Sequence, residues 1–495
     1  MKKNIINIKN ILLAATVLVG LSFSSCIPDD MNKNQMNPTT TDIGPLFNGV
    51  VSSLVANSNE QFYLWNELFY PESELGALTS EAWGNTNIGI DAVWNNYYLA
   101  LANIHDIDRR LDEMCESSQD NEIDDKVRAQ LIVVEAFKTF KVTDMFGDIP
   151  YSEAGYIWYN TVENRKPKYD SQESIYKTLL EELVWARNVL SNGKAKTSLG
   201  NTFGDEGWAF REHKNLRMGE TVFAQMSKTN GTPDNTIFDP RVYIFFDTNN
   251  KTAEYPEGAW RAYPQMRNAS TPTEGGTPYS STRDKNYAFK GPACLYSPFN
   301  FYLVRDHVFV PQMMISPAEV SFIKAELTAR GITPGGLGMA TEEHLRKGIE
   351  YSFNFWLQLP IYGTDATYKY IYKDLQTILD GGDLYSISSA YASNIMNEMI
   401  YFNTEFTYSE EDYLEVIYQQ RWLDLFRQAN EAWNLARRTK GAKVSTPTTI
   451  EHKKLVTNRL PYPQSEVTYN SENYQEQVKK MGGDTREIKV WWMQD

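Results

Sequence analysis

The chain has 495 residues, 42% of them apolar, and a formal charge of −15. That is enough apolar content for one large core or two. The acidic balance excludes a nucleic-acid binder, which needs a basic face to meet phosphates, and a surface that adheres to anionic lipid.

The first element in chain order is a leader. Lys2, Lys3 and Lys9 make a basic start, Ile11 to Phe23 is an unbroken run of apolar and small residues, and Ser24-Ser25-Cys26 closes it. That layout is a secretory signal, and the run falls short of the ~20 apolar residues of a membrane span. A cysteine directly after the cleavage site resembles the bacterial lipobox, in which the thiol is diacylated and becomes the first mature residue. Phe23 stands where leucine is commonest. The expectation is a signal peptide over 1–25, lipidation of Cys26 by fatty acyl (palmitate) chains, and a tether over 26–42. More than one chain gives durable anchoring. The alternative is ordinary secretion with Cys26 a bystander. Removing the leader, with its three lysines and no acid, leaves a charge near −18. Cys115 and Cys294 then either pair or stay as buried free thiols.

Helix signals dominate the rest. Ile43–Ser58, Glu60–Tyr70 and Asp91–Glu116 read as helical. Residues 121–146 place Val127, Leu131, Val134 and Phe137 at helical spacing, and Gly147 and Pro150 end the run. Asp170 with Glu173 makes a capping-box pattern opening a helix through Leu190. Ser316-Pro317-Ala318-Glu319 offers a cap, a first-turn proline and an acid, with Gly331 as the stop. Further helices are expected over Glu342–Leu357 and from Ser409, where Leu414, Ile417, Trp422, Leu425, Ala429 and Trp433 form one stripe. Ser191 to Ile315 is polar and rich in Gly, Pro and Asn, with strand candidates at Val242–Phe246 and Phe301–Val310. Gly363 to Glu398 reads as a second irregular part. The fold class expected is mainly α: a tetratricopeptide-like helical scaffold, residues 43–495 forming one domain, with a large irregular, loop-rich insert at about 191–315 and a few short strands.

Seven stretches, in order, resemble a family. Asp144-Met-Phe-Gly-Asp-Ile-Pro-Tyr-Ser-Glu-Ala154 is similar to the DxFGDxPYSEA signature of the SusD/RagB-like outer-membrane nutrient-binding lipoproteins. Pro167–Tyr176, Phe238-Asp-Pro-Arg241, Ser316–Glu326, Gln419–Trp422 with Glu431–Thr439, Arg459-Leu-Pro-Tyr-Pro463 with Glu466, and Gly482-Gly-Asp484 through Trp492 follow. The closest branch is the SusD-like one described as starch-binding, associating with outer membrane. Residues 204–218 depart from the family's usual long helix. The resemblance implies a non-enzymatic binding protein on the same helical scaffold. It would be lipid-anchored in the outer membrane, face the cell exterior, and pass oligosaccharides (peptides in some branches) to a SusC-like TonB-dependent transporter. The matched motifs read as structural, with Glu431, Arg437 and Arg438 anchoring helices to loops. No ligand residue carries over from them.

Site candidates therefore rest on residue chemistry. Aromatic residues make 13% of the chain and tyrosine, at 30, is in excess. Tyr and Trp offer a flat apolar face with a polar handle, suited to sugar rings and peptide side chains. Trp83, in a polar Gly/Asn loop between two helices, leads. Trp260, Tyr263, Tyr279 and Tyr296 of the insert follow, with Asn85, Asn87 and Arg261 as hydrogen-bonding neighbours. For any one aromatic residue, packing is the competing reading. Trp94, Trp185, Trp422 and Trp433 sit on helical stripes and read as core. No nucleophile elbow, zincin, CxxC or P-loop motif is present, and five scattered histidines show no metal spacing. Neither a catalytic site nor a cofactor is expected. Asp247–Glu254 and Asp380–Asp383 are oxygen-rich, yet neither completes a calcium loop. The alternatives to an oligosaccharide-binding importer subunit are a peptide-binding one and a protein-binding helical scaffold.

Overall fold

The computed structural model describes residues 43–79, 84–117, 121–156, 165–191, 215–227, 239–248, 260–266, 271, 295–300, 313–332, 339–362, 379–380, 382–399, 410–439, 450–452 and 455–493. Cys26, Trp83, Tyr279, Cys294, Ser409 and the strand candidate at 301–310 lie outside them.

The frame is built from stacked helices, as the tetratricopeptide-like expectation required. Helix α1 (Ile43–Ser52) packs on α2 (Thr86–Ser117), and α2 on α3 (Asn121–Phe146). Val50, Ile104, Ile107, Leu111 and Leu131 form a satellite core there. Between α1 and α2 the chain runs through short helical turns that include a π-helix, Gln61–Phe69. It then reaches strand β1 (Ala77–Leu78). After α3, strands β2 (Ile149–Pro150) and β3 (Tyr169–Asp170) pair antiparallel and lead into α4 (Gln172–Leu190), which packs back on α3.

The capping box at Asp170 is corrected by this hairpin. Ser171, not Asp170, caps α4, its side chain accepting from the amide of Ser174. Because Asp170 sits in the β3 ladder, its carboxylate turns to the preceding loop and accepts from the amides of Tyr151 and Ser152 at 3.0 and 2.8 Å.

The described parts of the insert belong to the main core. They comprise strand β4 (Leu216–Arg217) and helices α5 (Glu220–Met226) and α6 (Val242–Phe245). The strand expected at Val242–Phe246 is thus a short helix. Only Phe246 bridges, to Phe299. Phe223, Ile244, Phe245 and Phe246 are fully buried. Phe245 stacks on Phe426 at 4.1 Å between ring centres. An apolar cluster this dense makes the described residues at 215–227, 239–248 and 295–300 a wall of the core as well as a carrier of loops.

Helix α7 (Pro317–Ala329) has the start its sequence announces: Ser316 Oγ accepts from the Glu319 amide at 2.8 Å. It packs on α8 (Thr341–Tyr362), and α8 on α9 (Leu384–Met399). α9 overturns the irregular reading of 363–398 over residues 384–398. Its signal is a polar helix with Ile387, Ala392, Ile395 and Met396 buried, opened by Asp383, whose carboxylate accepts from the Ser386 amide and hydroxyl. Asp383 of the oxygen-rich Asp380–Asp383 segment thus serves as a helix cap.

The helix read from Ser409 is two. Helix α10 (Glu410–Asp424) ends in a 3₁₀ turn, and α11 (Ala429–Arg438) begins after Gln428, whose backbone leaves the helical region at φ −123°, ψ 65°. The stripe stays buried because the turn keeps both halves facing the core. Helices α12 (Gln464–Tyr469) and α13 (Ser471–Met481) complete the chain. Trp94, Trp422 and Trp433 are buried as expected, whereas Trp185 is 41% exposed on the outer face of α4.

The motifs meet at one junction. Arg437 lies against the Trp433 ring, 3.5 Å from its centre, and donates to the backbone oxygens of Asn458 and Asp144. Asp144 accepts from Tyr176, Gln172 and Trp492. Arg459 is buried, donates to the Phe146 carbonyl and pairs with Asp484. Arg438 grips Glu326 with two bonds, joining α11 to α7. Six of the seven sequence-distant motifs thus fasten helix ends and loops to one another.

Candidate functional site

Four segments of the chain converge around β1 and β4. Strand β1 pairs antiparallel with β4 in the register Ala77 to Arg217 and Leu78 to Leu216. The Thr79 amide donates to the Asn215 carbonyl at 2.9 Å, extending the pairing toward the loop that carries Trp83. Beyond β4, the Met218 amide donates to Ser297, the Tyr263 amide to Met218, the Glu220 amide to Tyr263, and the Ser297 amide to Arg261. Backbone bonds between four loops position side chains without demanding any one sequence, the arrangement on which binding loops ride.

Close packing sets the local sequence. Gly219 passes so near Gln265 that a Cβ there would fall 1.9 Å from its Oε1. Glu74 holds φ at 61°, a left-handed backbone costly for a non-glycine residue. Its carboxylate repays this by accepting from the Thr221 hydroxyl at 2.7 Å and meeting His452 Nδ1 at 2.7 Å. Glu220 is pushed up from the usual carboxyl range by burial, against the Gln265 amide, which lowers it. Nothing in the sequence pattern marked Glu74, Gly219 or Gln265, because their roles depend on neighbours far along the chain.

The predicted site residues divide. Tyr263 and Tyr296 are brought together, but as packing: they are 1% and 3% exposed, meet edge to face at 4.7 Å, and cover Ala77. In this conformation they offer no ring face to a ligand. Their part is to support the rim, where the exposed Arg261 holds its guanidinium 4.9 Å above the Tyr296 ring. Trp260 is half-buried, its ring meeting Tyr243 edge to face at 5.6 Å against the main core. Asn85 and Asn87 are exposed at the start of α2. Between them Thr86 is buried and accepts from Arg486, which pins that helix end. Trp83 and Tyr279 fall outside the described residues.

Arg261 thus offers guanidinium donors at the rim of the β1–β4 pairing, and the exposed Asn85 and Asn87 offer amide donors and acceptors at the start of α2. These groups have the chemistry of hydroxyl and carbonyl recognition. Among the described residues no cluster of His, Cys, Asp and Glu could hold a metal ion, and no helix is long and apolar enough to cross a membrane.

The fold is a helical scaffold carrying backbone-bonded loops, and comparison with known proteins gives its family. Residues 211–493 match the model described as Susd and RagB outer membrane lipoprotein, and residues 34–205 match starch-binding associating with outer membrane. Among solved structures, a chitin-binding protein superposes with a TM-score of 0.61 at 16% identity, over 92% of this chain and 100% of its own. A SusD homolog from Bacteroides thetaiotaomicron gives 0.56 at 17%, over 92% and 100%. A chitin-binding SusD homolog from Flavobacterium johnsoniae gives 0.54 at 17%, over 92% and 99%. No curated protein matches. The chain belongs to the SusD/RagB family of outer-membrane lipoproteins, whose members are binding proteins and not enzymes.

Proposed function

We propose that this protein captures oligosaccharides at the β1–β4 face and passes them to a SusC-like TonB-dependent transporter, from a Cys26 lipid anchor that holds it on the outside of the outer membrane. The backbone bonding of four segments around β1 and β4 supports the reading: it ties the segment bearing Trp260 and Arg261 to β4, and β1 stands a few residues before Trp83, Asn85 and Asn87 in the chain. Two similar structures are named as chitin-binding, which supports a carbohydrate over other ligands. A protein partner is supported by an apolar stripe on α7: Val320 and Ile323 are 40% and 37% exposed, with Ile315 and Ile332 beside the helix at 62% and 52%. Exposed apolar patches of that kind mark protein contacts.

Affinity gel electrophoresis of the mature chain across a polysaccharide panel tests the reading, with a casein digest titrated calorimetrically alongside. The expected result is retardation by at least one glycan, weakened by Trp83→Ala and by Trp260→Ala. Heat from the peptides with silence on every glycan would move the assignment to a peptide importer. Retardation unaffected by both substitutions would remove the β1–β4 face as the site.

A further inference from the structure

A cleft of about 260 Å³ lies elsewhere on α2, where that helix meets the β2 loop and the start of α12. Trp94, Asn95, Tyr98, Gly155, Ser465 and Glu466 supply its main walls. Helix α2 contributes Asn95 and Tyr98 because three residues is close to one turn, so both project to the same side. Tyr98 is fixed by its hydroxyl, which donates to the Pro150 carbonyl at 2.8 Å, so its ring is held in the wall.

The wall carries unused hydrogen-bonding capacity. Glu466 accepts from Tyr169 at 2.8 Å and Asn470 at 3.0 Å, both through Oε2, leaving Oε1 without a bond among the described residues. Asn95 and Ser465 make no side-chain hydrogen bond among the described residues. Both walls continue one turn further into exposed rings or chains. Leu99, four residues beyond Asn95, is 66% exposed, and Tyr469, four beyond Ser465, is 75% exposed.

The chemistry narrows the occupant. Glu466 disfavours an anion, and the polar lining disfavours an apolar ligand. A lone carboxylate is too few ligands for a hard cation. A lysine head, donor only, would leave the serine and amide acceptors competing for it and the amide N–H groups idle. A sugar ring donates and accepts at every hydroxyl and presents C–H faces to tyrosine, and so uses the whole wall. We propose that this cleft is a second carbohydrate subsite, distinct from the β1–β4 face. Asn87, Asp91, Asn95 and Leu99 follow one another at i+4 along α2 and are all exposed. They join the two sites by a ridge of roughly 12 Å between Asn87 and Asn95 at helical rise. An oligosaccharide lying along that ridge would touch both sites.

The test is a glycan array of oligosaccharides from disaccharides upward, probed with the mature wild-type chain, with Ser465→Trp and Asn95→Trp, which fill the cleft, and with Tyr469→Ala. Trp260→Ala reports on the other face. All positions are at the surface or the rim, and thermal melting checks that each variant folds. We expect the cleft variants to weaken at least one retained oligosaccharide about tenfold, the loss of one good contact, with longer chains hit harder than disaccharides. Unchanged binding in the cleft variants, with loss in Trp260→Ala, overturns this subsite and leaves the first site standing. Loss in the cleft variants alone keeps the subsite and removes the β1–β4 face. No retained glycan in the wild type overturns both.

Discussion

Single side chains hold this molecule together mainly by charge-assisted bonds at the ends of helices. Glu326 is the clearest case. Burial alone would raise its carboxyl, yet the bonds from Arg438 and Tyr418 and the charge of Arg421 outweigh this and hold it at about 2. An unfolded glutamate titrates near 4.3, so the folded value is depressed. The linkage sign follows: the stabilisation is complete above about pH 4.3 and is lost as pH falls toward 2. Arg438 is partly solvated, so the contribution is about 1–2 kcal/mol and not the full value of the shift. Glu326→Gln is expected to lower stability by about that amount at pH 7, and the gap to wild type should narrow by roughly half at pH 3. Urea denaturation at the two pH values measures it. A gap that stays constant down to pH 3 would mean that the ion pair is not its source. The residue scale was partly legible in the sequence. Glu431, Arg437 and Arg438 were marked as anchors by the family motif that they match, and the structure gives Arg437 and Arg438 such partners. Glu74 did not, since only the left-handed backbone and its partners Thr221 and His452 give it a role.

At the scale of elements, legibility followed apolar periodicity and capping chemistry. Helices α3, α7 and α8 announced themselves because their buried faces repeat at helical spacing or their caps are explicit. α9 was missed because its sequence, Leu384 to Met399, is mostly Ser, Ala, Tyr and Asn, residues that mark loops as readily as a polar helix. Val242–Phe246 was misread because a short apolar run fits a strand and a buried helix equally. Packing decided between them. The α7–α8 contact shows how tightly that decision is enforced. An ideal Cβ on Gly348 would stand 2.5 Å from the ring of Phe322, which is fully buried. Alanine gains about 1 kcal/mol of helix propensity over glycine, while forcing a methyl into such a contact costs about 1–3 kcal/mol. Gly348→Ala should therefore lower the melting temperature despite its better propensity, and Phe322→Leu in the same chain should recover part of the loss. An unchanged or raised melting temperature in Gly348→Ala would show that the two helices can part without cost.

For the whole molecule, the sequence showed which kinds of side chain the loops carry. Polar loops rich in Tyr and Trp pointed to the insert, and backbone bonds tie its described segments at 215–220, 260–263 and 295–297 to one another. Yet Tyr263 and Tyr296 went inward as support over Ala77, because loops laced together by backbone bonds need apolar residues beneath them. Sequence shows which rings a loop carries and not which way they turn. The opposite end of the chain can be tested without knowing the ligand. The anchor proposed above is the thiol of Cys26, which the lipobox-like leader offers for acylation. One acyl chain binds reversibly and two or more hold. Cys26→Ser expressed in the native host should take up no radiolabelled palmitate and should leave the membrane pellet for the soluble fraction, with glycan binding by the purified chain unchanged. Palmitate incorporation that survives the substitution would place the lipid on another residue, and a chain that stays in the pellet without label would show that a protein partner holds it there.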